Sequence, residues 1–279
     1  MTARNIREIR TAQPSRDGDG VAIQRISGMG HAGMDPILMI DELRAEQRED
    51  LGGGFPPHPH RGMQTLTYMK HGGIIHEDSR GNRGEIRGGG AQWMSAGRGL
   101  IHSEMPTADT VGMHGFQLWV NLPAAIKMDE PRYRDVPADE LARATADGFG
   151  ATAVSGTWDI SGSRVTGPLA ALAEQASILD LQLAPGASVS LATGADDNAL
   201  VYVYEGSLAQ PEVQVVARQM AISNPGDTWQ LTAGEDGAEV LVLRGAPIAE
   251  PVVHYGPFVM NTAEEIEQAI RDFRDGTLA

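Results

Sequence analysis

Short runs of alternating or β-branched residues recur along the chain, among them GVAIQRI, MQTLTYM, GFQLWVNL, SILDLQLA, ALVYVYEG and VLVLRG. Alternation with a period of two marks strands that bury one face. Clusters of Gly, Pro, Asn and Asp punctuate these runs, as in DGDG, RGNRG, APGAS, NPGD and AGEDG. Many short strands between such turns predict an all-β sandwich or barrel. The runs fall into two groups, before Leu122 and after Ala151. A Pro-rich, charged stretch, PAAIKMDEPRYRDVPADELARATADG, separates them, with one helical turn expected around Asp139 to Ala144.

The two groups share a loose pattern of strand, glycine turn, strand and second glycine turn, which hints at a duplicated barrel. Near the C-terminus the period changes. In NTAEEIEQAIRDFRDG, Ile266, Ala269, Ile270 and Phe273 make one apolar stripe. Thr262 and Glu265 have capping-box spacing and Gly276 is a fitting stop, so a helix is expected there, packed on a barrel.

Composition narrows the class. With 279 residues, 41% hydrophobic and 21% charged, the chain is globular and long enough for two cores. No apolar run reaches the roughly 20 residues of a membrane helix, and MTARNIREIR has no apolar signal segment. The absence of cysteine excludes disulfides and thiolate metal sites; a cytoplasmic protein is the default expectation. A net charge of −15 disfavours direct nucleic-acid binding. Arg80, Arg83 and Arg87 make no basic patch, being interleaved with Glu77, Asp78 and Glu85.

The chemistry concentrates in FPPHPHRGMQT and SAGRGLIHSEMP. Residues two apart in an extended strand share a face, so His58 and His60 present two nitrogens to one point. His58 precedes a proline, which pushes it toward extended geometry. The prolines also confine such a strand to an edge. His102 and Glu104 repeat the spacing. Two strands with two inward ligands each would make a pocket of three imidazoles and one carboxylate. That set suits Fe(II), Mn(II), Ni(II), Cu(II) or Zn(II) better than Ca or Mg. Spacing alone leaves two readings open, a metal site or pairs of surface histidines. His31, His71, His114 and His254 read as hydrogen-bonding or surface residues. His76, next to Glu77 and Asp78, reads as a surface loop because consecutive strand residues face opposite ways.

Several long motifs then resemble the pirin family, a branch of the cupin superfamily. They are MDPILMIDEL, GGFPPHPHRGMQTLTY, HEDSRGNRGEI, QWMSAGRGLIHSEMP, GFQLWVNLP and YGPFVMNTAEEI, spread over nearly the whole chain. The resemblance implies two tandem cupin (jelly-roll) β-barrels with a C-terminal helix. The expected division is an N-terminal metal-binding barrel over 1–128, a connector over 129–150, a metal-free barrel over 151–258 and a helical tail over 259–279. One iron would be held by His58, His60, His102 and Glu104. Two positions depart from the family pattern. Gln64 stands where cupins commonly carry a glutamate, and Gly88-Gly89-Gly90 replaces a Pro-Gly-Asp turn.

The resemblance also implies quercetin 2,3-dioxygenase activity, in which a flavonol is cleaved with O2 and carbon monoxide is released. Glu104 is then the expected base for the flavonol 3-hydroxyl. Arg61, Gln64 and Gln92 are candidates to orient ligands or to fill buried packing positions, whereas Phe55, Met63, Trp93 and Met94 read as core or pocket wall. The alternative implied by the family is an iron-dependent regulator that acts through a protein partner without turnover.

Overall fold

The computed structural model describes residues 2–210 and 213–279. The chain divides into two compact units, each discontinuous. One comprises Gln13–Gly30, Ile37–Asp139 and Ile248–Ala279, and is called here the leading unit; the trailing unit comprises Met1–Ala12, His31–Pro36 and Glu140–Pro247. The sequence predicted contiguous segments; strand pairing explains the difference. Ile6–Thr11 runs antiparallel to Gln219–Ser223 in the trailing unit. The late hairpin Val253–Tyr255/Phe258–Met260 is bridged to Arg61 in the leading unit.

Among the described residues, the leading unit holds a seven-stranded and a four-stranded antiparallel sheet. The larger sheet contains Gln13–Asp17, Val21–Ser27, Ile37–Ala45, Met63–His71, Ala91–Ser95, Met113–Asn121 and Arg132–Val136. The smaller one runs in the order Phe55–His60, Leu100–Pro106, Gly73–Asp78, Arg83–Arg87. The Pro-rich strand Phe55–His60 stands at its edge, where missing N–H donors cost nothing.

Alternate residues from both sheets, including Val21, Ile23, Leu43, Met69, Ile74 and Met113, meet in one apolar cluster. Burying each such side chain is worth roughly 1.5–3 kcal/mol. Farther along the same strand faces the residues turn polar. Met69 gives way to Thr67, Ile74 to His76, and Met113 to Gln117. One end of the interior is thus oily and the other is built for chemistry.

The trailing unit is an eleven-stranded antiparallel sheet among the described residues. Its interior is filled by Phe149, Trp158, Leu179, Leu191, Val201 and Trp229 with their neighbours. No histidine lies between Ala151 and Ala249.

The expected helical turn at Asp139–Ala144 is absent. Ala142–Ala146 is a strand paired with Phe149–Ser155, because Ala142 and Ala144 pack half-buried on the core while Arg143 and Thr145 face water. The C-terminal helix forms over Ala263–Arg274. Thr262 and Glu265 make the reciprocal capping box, and Gly276 takes the left-handed stop at φ 71°. Ile266 and Ala269 are buried; Phe273 is exposed.

Candidate metal centre

His58 and His102 are cross-strand partners on neighbouring antiparallel strands, and His60 sits two residues beyond His58 on the same face. Ring centroids lie 4.4 Å apart for His58 and His102, 4.9 Å for His58 and His60, and 5.0 Å for His60 and His102. One ring nitrogen from each falls within 4.8 Å of the others. His60 and His102 are 1% and 2% exposed, while His58 is half-buried and forms the solvent side of the group. The Trp119 and His60 rings meet in a T-shaped arrangement with centroids 5.2 Å apart.

The hydrogen bonds decide which nitrogens are free. His58 Nδ1 donates to the Pro56 carbonyl at 2.8 Å, leaving Nε2 as a lone pair. His102 uses Nδ1 against His76, and its Nε2 is buried without a partner. Neither ring nitrogen of His60 has a hydrogen bond of good geometry. The Pro257 backbone favours protonation of the ring but makes no hydrogen bond to it. Buried nitrogens without partners are rare and call for a ligand. Burial holds both His60 and His102 well below the ordinary imidazole value, and the neighbouring histidines add to the effect. Neutral imidazoles are what a cation requires. The donor set therefore fits a divalent transition metal.

Glu104 is buried at 3% exposure but is not grouped with the three imidazoles. Gln117 Nε2 donates to its Oε2 at 2.9 Å. Thr67 Oγ1 lies 2.6 Å from Glu104 Oε1 and 2.5 Å from Gln117 Oε1, so its single proton serves one of them at a time. Lone pairs remain on the carboxylate for a further partner.

Gln64 does not enter this constellation. Thr67 shows which face of Met63–His71 looks inward, and residue 64 has the opposite parity. Its Oε1 accepts the indole N–H of Trp93 at 2.7 Å. The glutamine at the usual glutamate position therefore cannot weaken the histidine trio directly. Arg61 is also structural: it bonds the Arg98 carbonyl and Asp272, and that contact holds the Asp272 carboxyl below its usual range. Gln92 donates to Tyr133 and Asp135 at 2.8 Å each. Met63, Trp93 and Met94 are buried, and Phe55 packs on the apolar cluster.

His76 is where the surface-loop expectation fails. It lies in the strand Gly73–Asp78, is 1% exposed, and sits between His102 and Asp78. The alternation of Ile74, His76 and Asp78 on one face was available in the sequence. The two adjacent acids disguised it. His114 lies within the strand Met113–Asn121 and bonds Glu42 at 3.1 Å; His71 is exposed.

Two facing sheets with three strand-borne imidazoles at one end of the interior, followed by a second β unit, define a two-cupin protein. The chain belongs to the pirin family. A family model described as Pirin matches residues 22–120, and one described as the Pirin C-terminal cupin domain matches 178–279. A Vibrio cholerae protein with the provisional name quercetin 2,3-dioxygenase is 46% identical over 98% of this chain and 97% of its own. Human pirin is 37% identical over 93% of this chain and 88% of its own. The crystal structure of quercetin 2,3-dioxygenase from Acinetobacter baumannii superposes with a TM-score of 0.89 at 28% identity, covering 99% of both chains. No helix among the described residues is long and apolar enough to cross a membrane.

Proposed function

We propose that the chain is an iron-dependent dioxygenase of the quercetin 2,3-dioxygenase type, acting in the cytoplasm on a flavonol-like substrate and O2. The observation that carries this reading is the convergence of three imidazoles, two of which, His60 and His102, have buried nitrogens without partners. The 46% identity to the Vibrio cholerae protein supports it. His58, His60 and His102 would hold the ion, with Glu104 as the anionic fourth ligand. Bound Fe(II) would supply Lewis acidity and a template for substrate and O2; Mn(II), Ni(II), Cu(II) and Zn(II) suit the same donors.

The chain's own groups divide the remaining work. Glu104 accepts the flavonol 3-hydroxyl proton on a carboxylate oxygen, with Thr67 and Gln117 fixing its orientation. Trp119, whose ring lies 5.2 Å from that of His60, gives an aromatic ligand an apolar neighbour beside the imidazoles. His58 marks the side of entry.

The test is an aerobic assay of iron-loaded protein. Loss of the flavonol absorption band with release of carbon monoxide is expected, and His58→Ala should abolish both along with bound iron. A second reading, a redox-responsive regulator acting through a protein partner, is favoured by the likeness to human pirin. Wild-type protein that keeps its iron yet turns over no flavonol would overturn the enzyme reading in favour of the regulator.

A further inference from the structure

We infer that His76 and Asp78 are positioning residues that set the tautomer of His102 and so keep its Nε2 open to a metal. The inference rests on the metal-centre reading above. His102 Nδ1 faces His76 Nδ1 at 3.3 Å, and His76 Nε2 faces Asp78 Oδ2 at 3.3 Å. Two neutral imidazoles meeting through Nδ1 need one N–H and one lone pair between them. Asp78 decides which ring brings which. A carboxylate only accepts, so His76 carries its proton on Nε2 and offers the lone pair at Nδ1. His102 must then carry its proton on Nδ1. Its Nε2 is left as a bare lone pair, and that is the buried atom with no partner. The opposite tautomer would point an N–H into the histidine cluster and repel a cation.

The surroundings leave neither residue free to turn. Asp78 Oδ1 accepts the backbone N–H groups of Arg80 at 2.9 Å and Asn82 at 3.0 Å, and Oδ2 accepts the Asn82 amide at 2.8 Å. The His76 ring is stacked on Tyr133, with centroids 4.5 Å apart and planes 26° apart. Tyr133 in turn donates to Asp135 at 2.6 Å. Gly84, the register partner of His76, makes this approach possible. A Cβ there would lie 1.8 Å from Asp135 Oδ2 and 2.2 Å from Tyr133 Oη. The segment expected to be a mere connector thus braces a group in contact with the metal centre. A carboxylate and acceptor behind a ligating histidine fix its ring and raise its basicity, and losing them typically costs 10- to 100-fold in metal affinity.

Cobalt(II) is a suitable probe, since its visible absorption reports coordination without turnover. The experiment titrates Co(II) into metal-free full-length protein and three variants. His76→Phe keeps the ring and the stack on Tyr133 but offers no acceptor. His76→Gln restores an acceptor oxygen. Asp78→Asn presents an amide that must oppose either the His76 N–H or the turn N–H groups. Wild type should bind one Co(II) per chain, His76→Phe and Asp78→Asn should bind about 10- to 100-fold more weakly, and His76→Gln should recover most of the loss. A role in packing alone predicts the reverse order for the two His76 variants. The inference is overturned if His76→Phe and Asp78→Asn bind as tightly as wild type, or if His76→Gln binds no better than His76→Phe. If Asp78→Asn does not fold, the His76 pair still decides. Wild type that takes up no Co(II) fails earlier, at the metal centre itself, and takes the inference with it.

Discussion

At the scale of single residues, the most consequential group outside the histidines is Lys127. It is 1% exposed, and its Nζ donates to the Gly62 carbonyl and Asn121 Oδ1 at 2.6 Å each and to the Val259 carbonyl at 3.0 Å. Gly62 follows the His60–Arg61 pair, so this ammonium ties the end of the ligand strand to the late hairpin. Lys127→Met keeps the stem but strands three acceptors. The expected loss is about 2–4 kcal/mol in urea denaturation at pH 7. Burial lowers Lys127 to about 8, from 10.5. The unfolded chain keeps that proton up to the higher value, so between the two it binds more protons than the folded chain does. The contribution of Lys127 to stability therefore rises with pH across that window, by roughly 3 kcal/mol. The margin of wild type over Lys127→Met should widen from pH 8 to 10.5. A constant margin would show that the amine titrates normally.

Elements show where reading the sequence succeeds and where it stops. The capped helix is legible because its signals are local: Thr262→Ala should cost about 1 kcal/mol of stability, read as a lowered denaturation midpoint. The edge strand Phe55–His60 is equally legible, since its prolines dictate both extension and edge position. The same parity rule paired His58 with His60 and His102 with Glu104, and the structure brings the three imidazole rings together. Glu104 is buried beside them but held by Thr67 and Gln117, partners forty or fewer residues away that no local spacing announces. His76 was hidden by charge, as a histidine beside two acids looks solvated until its strand neighbours are known. Tyr133 and Asp135 were not legible at all, because their role depends on the pairing of Arg132–Val136 with Ala91–Ser95 and on Gly84 lacking a side chain. The misread turn at Asp139–Ala144 has the same origin. Its alanines suit a helix by propensity, but a waiting strand edge decides the outcome.

Across the whole molecule, the order of segments matters more than their number. The leading unit needs Ile248–Ala279, which contribute Val259 against Gly62 and Leu278 against Gly99. At Gly62 a Cβ would lie 2.1 Å from the Val259 carbonyl, and φ is +79°, so the approach is closed to any other residue. A fragment of residues 1–139 carries all four candidate ligands yet lacks this cover. It should show no cooperative thermal transition by circular dichroism, whereas the full chain should. A cooperative melt of the fragment with bound metal would show that the late segment is dispensable.

That segment order has a consequence during synthesis. A nascent chain leaving the ribosome exposes His58, His60 and His102 well before the stretch that completes their unit has been translated. Until then the imidazoles stand on an unfinished scaffold, open to whichever cation is most abundant. Any selectivity of these imidazoles for one metal therefore has to wait until Ile248–Ala279 has been made and has packed in place.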